Sequence, residues 1–262
     1  MKLKFIAFIL IACSFTSCID LTEYFTINED GSGVYEQKMD MTRALTGLSE
    51  MMEAAGGGQG SSNKKKEKVD TVIYYASIVD TVSTLSAEQK NAFKKAYAKI
   101  HLDEAKNEIV MNILFPFASP KEFNIIQTAM ADNKAYGSLS DIMLGALGSK
   151  NKQLAGGDGE NTEDKPSIPT KDYVYTLTGT SLSRKVIEKK ETDQKSEEEL
   201  PEQMKELMKM NIKTVIKLPR AIKQSTGSNL TLSENKKEVT FFKNVDLNTK
   251  FTGTDFDFSI DY

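Results

Sequence analysis

The stretch Leu21-Thr22-Glu23-Tyr24-Phe25-Thr26-Ile27, Asn28-Glu29-Asp30-Gly31-Ser32-Gly33, Val34-Tyr35-Glu36-Gln37-Lys38-Met39 decides the fold. Apolar and polar residues alternate up to Ile27, the middle is dense in turn formers, and the extended pattern resumes at Val34. Successive side chains of a strand point to opposite faces, so a period of two marks a strand with one face on a core and one in water. The stretch predicts a β-hairpin.

Working outward, Asp40 is placed to cap a helix with Met41, Leu45, Leu48 and Met52 on one stripe, ending by Ala55. Val69 to Ser83, rich in Val, Ile, Thr and Tyr, predicts strand. Ser86 and Gln89 have the spacing of a capping box, and Phe93, Ala96, Tyr97 and Ile100 follow on one helical face. Leu102 to Phe117 predicts a hairpin turning at Glu104-Ala105-Lys106-Asn107, with Ile109, Met111, Ile113 and Phe115 on one side and Pro116 ending regular pairing. Ser119-Pro120-Lys121-Glu122 then combines an N-cap, a first-turn proline and a capping-box glutamate, launching a helix with Phe123, Ile126 and Met130 inward.

Beyond a short apolar helix at Leu139 to Leu147, Asp172 to Lys189 predicts a hairpin in which Tyr173, Tyr175 and Leu177 alternate. Pro201 opens a helix that buries Met204, Leu207 and Met208. Ile212 to Lys217, Leu230 to Leu232, Val239 to Phe242 and Phe256 to Tyr262 read as extended, with Pro219 pointing to an edge strand or bulge. The expected fold class is therefore α+β: mostly antiparallel strands and hairpins with several packed helices. A Gly-, Ser- and Lys-rich loop near 55–68 and a linker at 155–169 divide the chain into an N-terminal α+β region, 18–154, and a strand-rich region, 170–262. These are two small domains or two parts of one.

The first residues are of another kind. Lys2 and Lys4 precede the uncharged apolar run Phe5 to Ala12, the build of an export signal. A membrane-spanning helix needs about 20 apolar residues, so this run is too short to be a permanent span. Phe15-Thr16-Ser17-Cys18 follows. It resembles the lipobox of bacterial lipoproteins, in the Bacteroidota-type variant with an aromatic residue three before the cysteine. The resemblance implies a signal peptide at 1–17, a diacylglyceryl group on the Cys18 sulfur through a thioether, cleavage before Cys18, and acylation of the freed amine by a chain such as palmitate. Leu10-Ile11-Ala12-Cys13 is a rival match by residue type, but cutting there would leave only Phe5 to Ile9 as apolar core, shorter than the roughly 7 to 15 residues such signals have.

The lipobox, the Ile27-to-Gly33 turn, and a late Leu218-Pro219-Arg220-Ala221-Ile222 block followed by Gly227-Ser228-Asn229 together resemble LppM-type α+β envelope lipoproteins. That resemblance implies an envelope location and a binding or structural role near lipid.

Composition excludes much. Losing Lys2 and Lys4 takes the formal charge from −3 to −5, against a nucleic-acid partner. With Cys13 discarded and Cys18 alkylated, no thiol is left for disulfides, metal sites or nucleophilic catalysis. His101 is the only histidine; on its strand pattern it reads as an exposed, solvated residue. Asn28, Asp30, Ser32 and Gly33 match four positions of a calcium loop, but Met39 stands where the bidentate glutamate belongs, so a plain turn is expected. Asp103 with Glu104, and Glu197 to Glu199, are acid clusters in predicted turns. Lys64 to Lys66 read as solvated or as resting on anionic head groups. Phe256, Phe258, Ile260 and Tyr262 alternate with polar residues as one half-buried strand.

The expected function is that of a lipid-anchored envelope protein, at the outer membrane on its periplasmic or surface side, acting without a cofactor or catalytic residues. Its partners would be the membrane, through Cys18, and a lipid or envelope protein. The alternative is an envelope hydrolase whose carboxylates or Ser/Lys groups converge only in the fold.

Overall fold

The computed structural model describes residues 19–54, 68–132, 137, 173–187, 209–246 and 253–262. The deciding stretch forms the hairpin: β1 (Ile19–Ile27) and β2 (Gly33–Asp40) pair antiparallel from Asp20–Asp40 to Ile27–Gly33. In the turn between them Gly31 adopts φ 80°, and the Asn28 amide and Ser32 close the loop on themselves.

Helix α1 (Thr42–Ala54) follows, and the Asp40 carboxylate accepts from the Thr42 N–H at 3.0 Å. Next come β3 (Lys68–Tyr74), α2 (Ala87–Phe93), β4 (Tyr97–Asp103) and β5 (Glu108–Phe117). After α3 (Pro120–Ala131) the described chain continues with β6 (Tyr173–Leu177), β7 (Ser181–Val186), β8 (Lys209–Lys217), β9 (Gln224–Gly227), β10 (Leu230–Leu232) and β11 (Glu238–Asp246). A single helical turn, α4 (Gly253–Phe256), leads into β12 (Phe258–Asp261).

Two sheets result. The larger has eight strands in the order β10-β11-β8-β1-β2-β5-β4-β3, and the smaller has four, β6-β7-β12-β9. Every neighbouring pair is antiparallel except β1 and β8, which run parallel with Tyr24 opposite Val215. Strands from both sequence regions thus share one sheet, and one continuous core contains Phe25, Phe115, Tyr175, Ile212 and Phe258.

Odd-numbered residues of β1 and β5 form the inward face, from Leu21 to Ile27 and from Ile109 to Phe117. The small sheet, α2 and α3 form the second layer over that face. Phe25 anchors the seam, its ring 4.6 Å from those of Tyr35 and Tyr175 and 5.9 Å from that of Phe123. Side chains of this size each contribute roughly 1.5–3 kcal/mol when buried. Asn124 of α3 fastens the layer by treating β6 as a strand partner: its amide donates to the Leu177 carbonyl at 2.9 Å and accepts from the Leu177 N–H at 2.8 Å.

The expected fold class is corrected. Described residues are mainly strand, arranged as a β-rich sandwich of two sheets, and not as strands against several packed helices. Local signals explain part of the error. The Ser86 box forms in full, with Ser86 Oγ accepting from Gln89 N–H and Gln89 Oε1 from Ser86 N–H, but the helix stops at Phe93. Ala98, Ile100 and Leu102, spaced by two, go to the buried face of β4, so Ala96 to Ile100 is not helical. Strand also ends earlier than expected after Val69: beyond Tyr74 two short 3-10 turns bury Tyr75, Val79 and Val82.

Proline placement needed correction too. Pro116 lies inside β5, opposite Val34, because β4 begins level with Leu114 and β5 is paired on one side only beyond that point. Pro219 follows a central strand, β8, in a bend. Ser119 and Pro120 open α3 as expected, although Glu122 takes the Ala118 N–H and not that of the cap residue. The expected helices at Leu139 to Leu147 and from Pro201 and the linker at 155–169 lie outside the described residues, as does the loop expected near 55–68 except for Lys68, which opens β3. Among the described residues, no helix is long and apolar enough to cross a membrane.

Candidate functional site

Two polar groupings stand out, and they differ in access. The first is buried between the sheets. Glu23, fully buried on β1, accepts from the hydroxyls of Tyr35, Tyr173, Tyr175 and Thr214, the last three at 3.1, 2.5 and 3.2 Å. Arg184 of β7 is also fully buried and donates through Nε to the Phe256 carbonyl at 2.7 Å. Its guanidinium lies 3.9 Å from the Phe241 ring centre and 4.6 Å from that of Phe258. Burial, reinforced by the Glu23 charge, pushes the Tyr35, Tyr173 and Tyr175 hydroxyls well above the ordinary phenol range, so they stay protonated donors. With no solvent access, this network holds the two sheets in register and is closed to ligand.

The second grouping is open. Even-numbered residues of β1 and β2, with their neighbours in register, point away from the core. One cross-strand row on this face reads Phe242, Lys213, Thr22, Lys38, Asn112, Lys99, Val72. Its lysines are two strand spacings apart, roughly 10 Å at the usual separation of 4.7–4.9 Å. The next row carries Val215, Tyr24, Glu36, Leu114, Tyr97 and Tyr74. Where the rows meet, a groove of about 470 Å³ is lined by Tyr24, Glu36, Lys38, Asn112 and Lys217, among others. A second, of about 270 Å³, runs on past Lys38 and Tyr24 to Asp20, Asp40, Lys213 and Phe242. Together they make a shallow trough along the sheet.

Charges in the trough are unequally occupied. The Asp20 carboxylate holds Arg43 at 2.6 Å and Asn211 at 2.7 Å, Asp40 caps α1, and Glu36 accepts from Asn112 at 2.8 Å. Lys38, Lys213 and Lys217 are exposed and form no ion pair among the described residues, and Lys99 Nζ lies 5.6 Å from the Tyr97 ring centre. The face therefore presents exposed lysines beside aromatic rings, with Asp20 ion-paired to Arg43 and Glu36 and Asp40 held by neutral donors.

Residues singled out in the sequence are distributed as follows. Cys18, Cys13, Lys64 to Lys66 and Glu197 to Glu199 lie outside the described residues. His101 is on the open face but not simply solvated: Nδ1 is 2.5 Å from Asp70 Oδ1, and Nε2 is 3.8 Å from Glu108 Oε2. That bond to His101 holds the Asp70 carboxyl below its ordinary range. The Asn28-to-Gly33 stretch is a turn, with the Asp30 carboxylate turned inward on Ser32 at 2.6 and 2.9 Å. Among the described residues no three acids, histidines or cysteines cluster as metal ligands. Asp103 is nearly buried, binding the Ala105 N–H at 3.1 Å and Lys106 at 3.5 Å. Phe258 and Ile260 are buried as one face of β12, Tyr262 is buried just beyond its end, and Phe256 is buried from the α4 turn.

Sequence reasoning missed both groupings. For the buried one a signal existed: Glu23 falls between Leu21 and Phe25 on the inward parity of β1, and Arg184 follows Leu182 on that of β7. A charge on the core side of a strand must find partners or cost several kcal/mol. For the trough no such signal existed, because its lysines come from β2, β4 and β8 and meet only through register. No family model, curated protein or solved structure matches the chain.

Proposed function

We propose that this chain is a lipid-anchored cell-envelope protein that works by binding, with the open trough as its working surface. The observation that carries the reading is the trough itself: unpaired Lys38, Lys213 and Lys217 beside exposed Tyr24 and Phe242.

The lipobox at Phe15 to Cys18 supports the anchor, and so does the start of the fold. Ile19, the residue after that cysteine, is already opposite Met210 in the parallel pairing with β8. Two or three acyl chains on Cys18 would hold the body close to a bilayer, since each buried CH₂ contributes roughly 0.8 kcal/mol. Hydrolysis receives less support. A glycosidase needs two carboxylates free to work across a substrate, and here Asp20, Asp40 and Glu36 are each held by a structural partner.

Cell fractionation of the wild type and of Cys18→Ala tests the anchor. Wild type is expected in the membrane fraction, released by detergent and not by salt, with an acylated N-terminal peptide in mass spectra. The alanine variant should be unprocessed or soluble. Unchanged membrane association and processing of the variant would remove the anchor from this reading.

A further inference from the structure

We infer that the outer edge of β3 is an interaction surface for a second copy of this chain: two β3 strands pair antiparallel about Thr71 and join the two large sheets into one. The inference goes beyond the proposed function and does not depend on the anchor.

The starting observation is how the sheet edges are finished. An edge strand offers unpaired N–H and C=O groups to any other strand, and folded proteins blunt such edges by shortening, kinking or covering them. Of the four edges among the described strands, three are treated in this way. β10 is three residues long, and β9 is four, ending at Gly227 with φ 121°. β6 has the Asn124 amide of α3 on its outer side, bound to both backbone groups of Leu177. β3 is different: its seven residues, Lys68 to Tyr74, pair with β4 in unbroken register, without proline or bulge.

The direction of the backbone groups on that edge follows from one hydrogen bond. Tyr75 N–H donates to the Ala96 carbonyl at 3.0 Å and continues the β3–β4 register, so Tyr75, Ile73, Thr71 and Val69 exchange backbone bonds with β4. Lys68, Asp70, Val72 and Tyr74 then turn their backbone groups outward. The Tyr74 carbonyl accepts from Ser77 Oγ at 2.6 Å, and the other outward groups have no partner among the described residues. Val72 and Tyr74 are also 45% and 62% exposed.

Self-complementarity selects the occupant. Centred on Thr71, the pairing uses all seven residues of each copy and sets Val69 opposite Ile73 twice on the core side, where β-branched pairs stabilise a sheet. On the open side Lys68 falls opposite Tyr74 twice, so the lysine stem and ammonium meet a ring. A centre at Asp70 would place that carboxylate opposite its own copy, and a centre at Val72 would drop Lys68 and Val69 from the ladder. With the centre at Thr71 the two Asp70 side chains are diagonal, and each is held by its own His101 at 2.5 Å. The two-fold axis passes through the sheet, so both troughs open on the same side.

The test uses the mature chain carrying Cys18→Ala, which contains no cysteine once residues 1–17 are removed. Sedimentation equilibrium should show a reversible monomer–dimer equilibrium, weak because the interface is small. Val72→Pro takes an outward N–H from each copy and leaves the bonds to β4 in place, so it should weaken the dimer by about tenfold or more. Circular dichroism checks its fold. Thr71→Cys gives a second reading without disturbing the backbone. Facing its own copy at a non-hydrogen-bonded position, where Cα atoms lie about 4.5 Å apart, it should form an intermolecular disulfide under mild oxidation. Val69→Cys, which would face Ile73, should not.

A chain that stays monomeric to millimolar concentration would overturn the inference. So would a dimer untouched by Val72→Pro, or one that Val69→Cys traps and Thr71→Cys does not. If Val72→Pro does not fold, the two cysteine variants still decide. Failure of this pairing leaves the proposed anchor and trough standing.

Discussion

Glu23 and Arg184 lie on different sheets and share the same two hydroxyls: Tyr175 Oη is 2.5 Å from Glu23 Oε2 and 3.3 Å from Arg184 Nη1, and Thr214 Oγ1 is 3.2 and 3.4 Å from them. Opposite charges bridged in this way stitch β1 and β8 to β6 and β7 across the interior. Removing one charge strands the other without solvent, which typically costs about 3–5 kcal/mol. Glu23→Ala should therefore lower unfolding free energy by about that much in urea titrations. The double variant with Arg184→Met should fall short of the summed single losses by about 1 kcal/mol or more. Additive losses would mean that the two charges act independently.

Alkaline pH should unfold the protein sooner than its composition suggests. Unfolded tyrosines lose their protons near pH 10. In the fold, burial and the Glu23 charge hold the Tyr35, Tyr173 and Tyr175 protons to well above that value, and the opposing pull of Arg184 on the last two does not reverse it. Above the unfolded value the unfolded state binds fewer protons than the native one, so stability falls as pH rises. The contribution is fully present below about pH 10 and declines above it, by up to about 1.4 kcal/mol per pH unit for each phenol. Thermal melts between pH 8 and 12 check this, and Tyr35→Phe should flatten the decline.

Gly33 should be intolerant of any side chain. A Cβ there would meet the Thr26 carbonyl oxygen at 2.2 Å and the Phe117 ring at 2.6 Å. Neither can withdraw, since one belongs to the paired strand and the other is buried on β5. Gly33→Ala should cost more than the 1–3 kcal/mol or so typical of overpacking, whereas Gly179→Ala, which meets nothing within 4 Å, should be near neutral.

Much of the sheet was legible in the sequence because its turns are strong. The Asn28-to-Gly33 turn, the Glu104-to-Asn107 turn and the Tyr173-to-Val186 hairpin each form where local patterning placed them. Helix starts at Ser86 and Ser119 were legible too, since caps are local chemistry. Helix lengths were not. Ala96 to Ile100 fits a helical stripe as well as a strand, and only pairing with Tyr74 to Thr71 and Met111 to Leu114 chose between them. The parallel pairing of β1 with β8 joins residues nearly two hundred positions apart and left no local trace. For the same reason the trough could not be read beforehand: Lys38, Lys99 and Lys213 become neighbours only once β2, β4 and β8 are in register.

The central claim is that this face, and not the helical side, meets the partner in place. Amine-reactive labelling of native membranes, compared with detergent-released protein, tests it most directly. Lys38, Lys99, Lys213 and Lys217 should be shielded several-fold in membranes, while Lys94 and Lys121, exposed on the α2 and α3 side, label equally in both. Equal labelling of all six, or shielding confined to Lys94 and Lys121, would contradict the account.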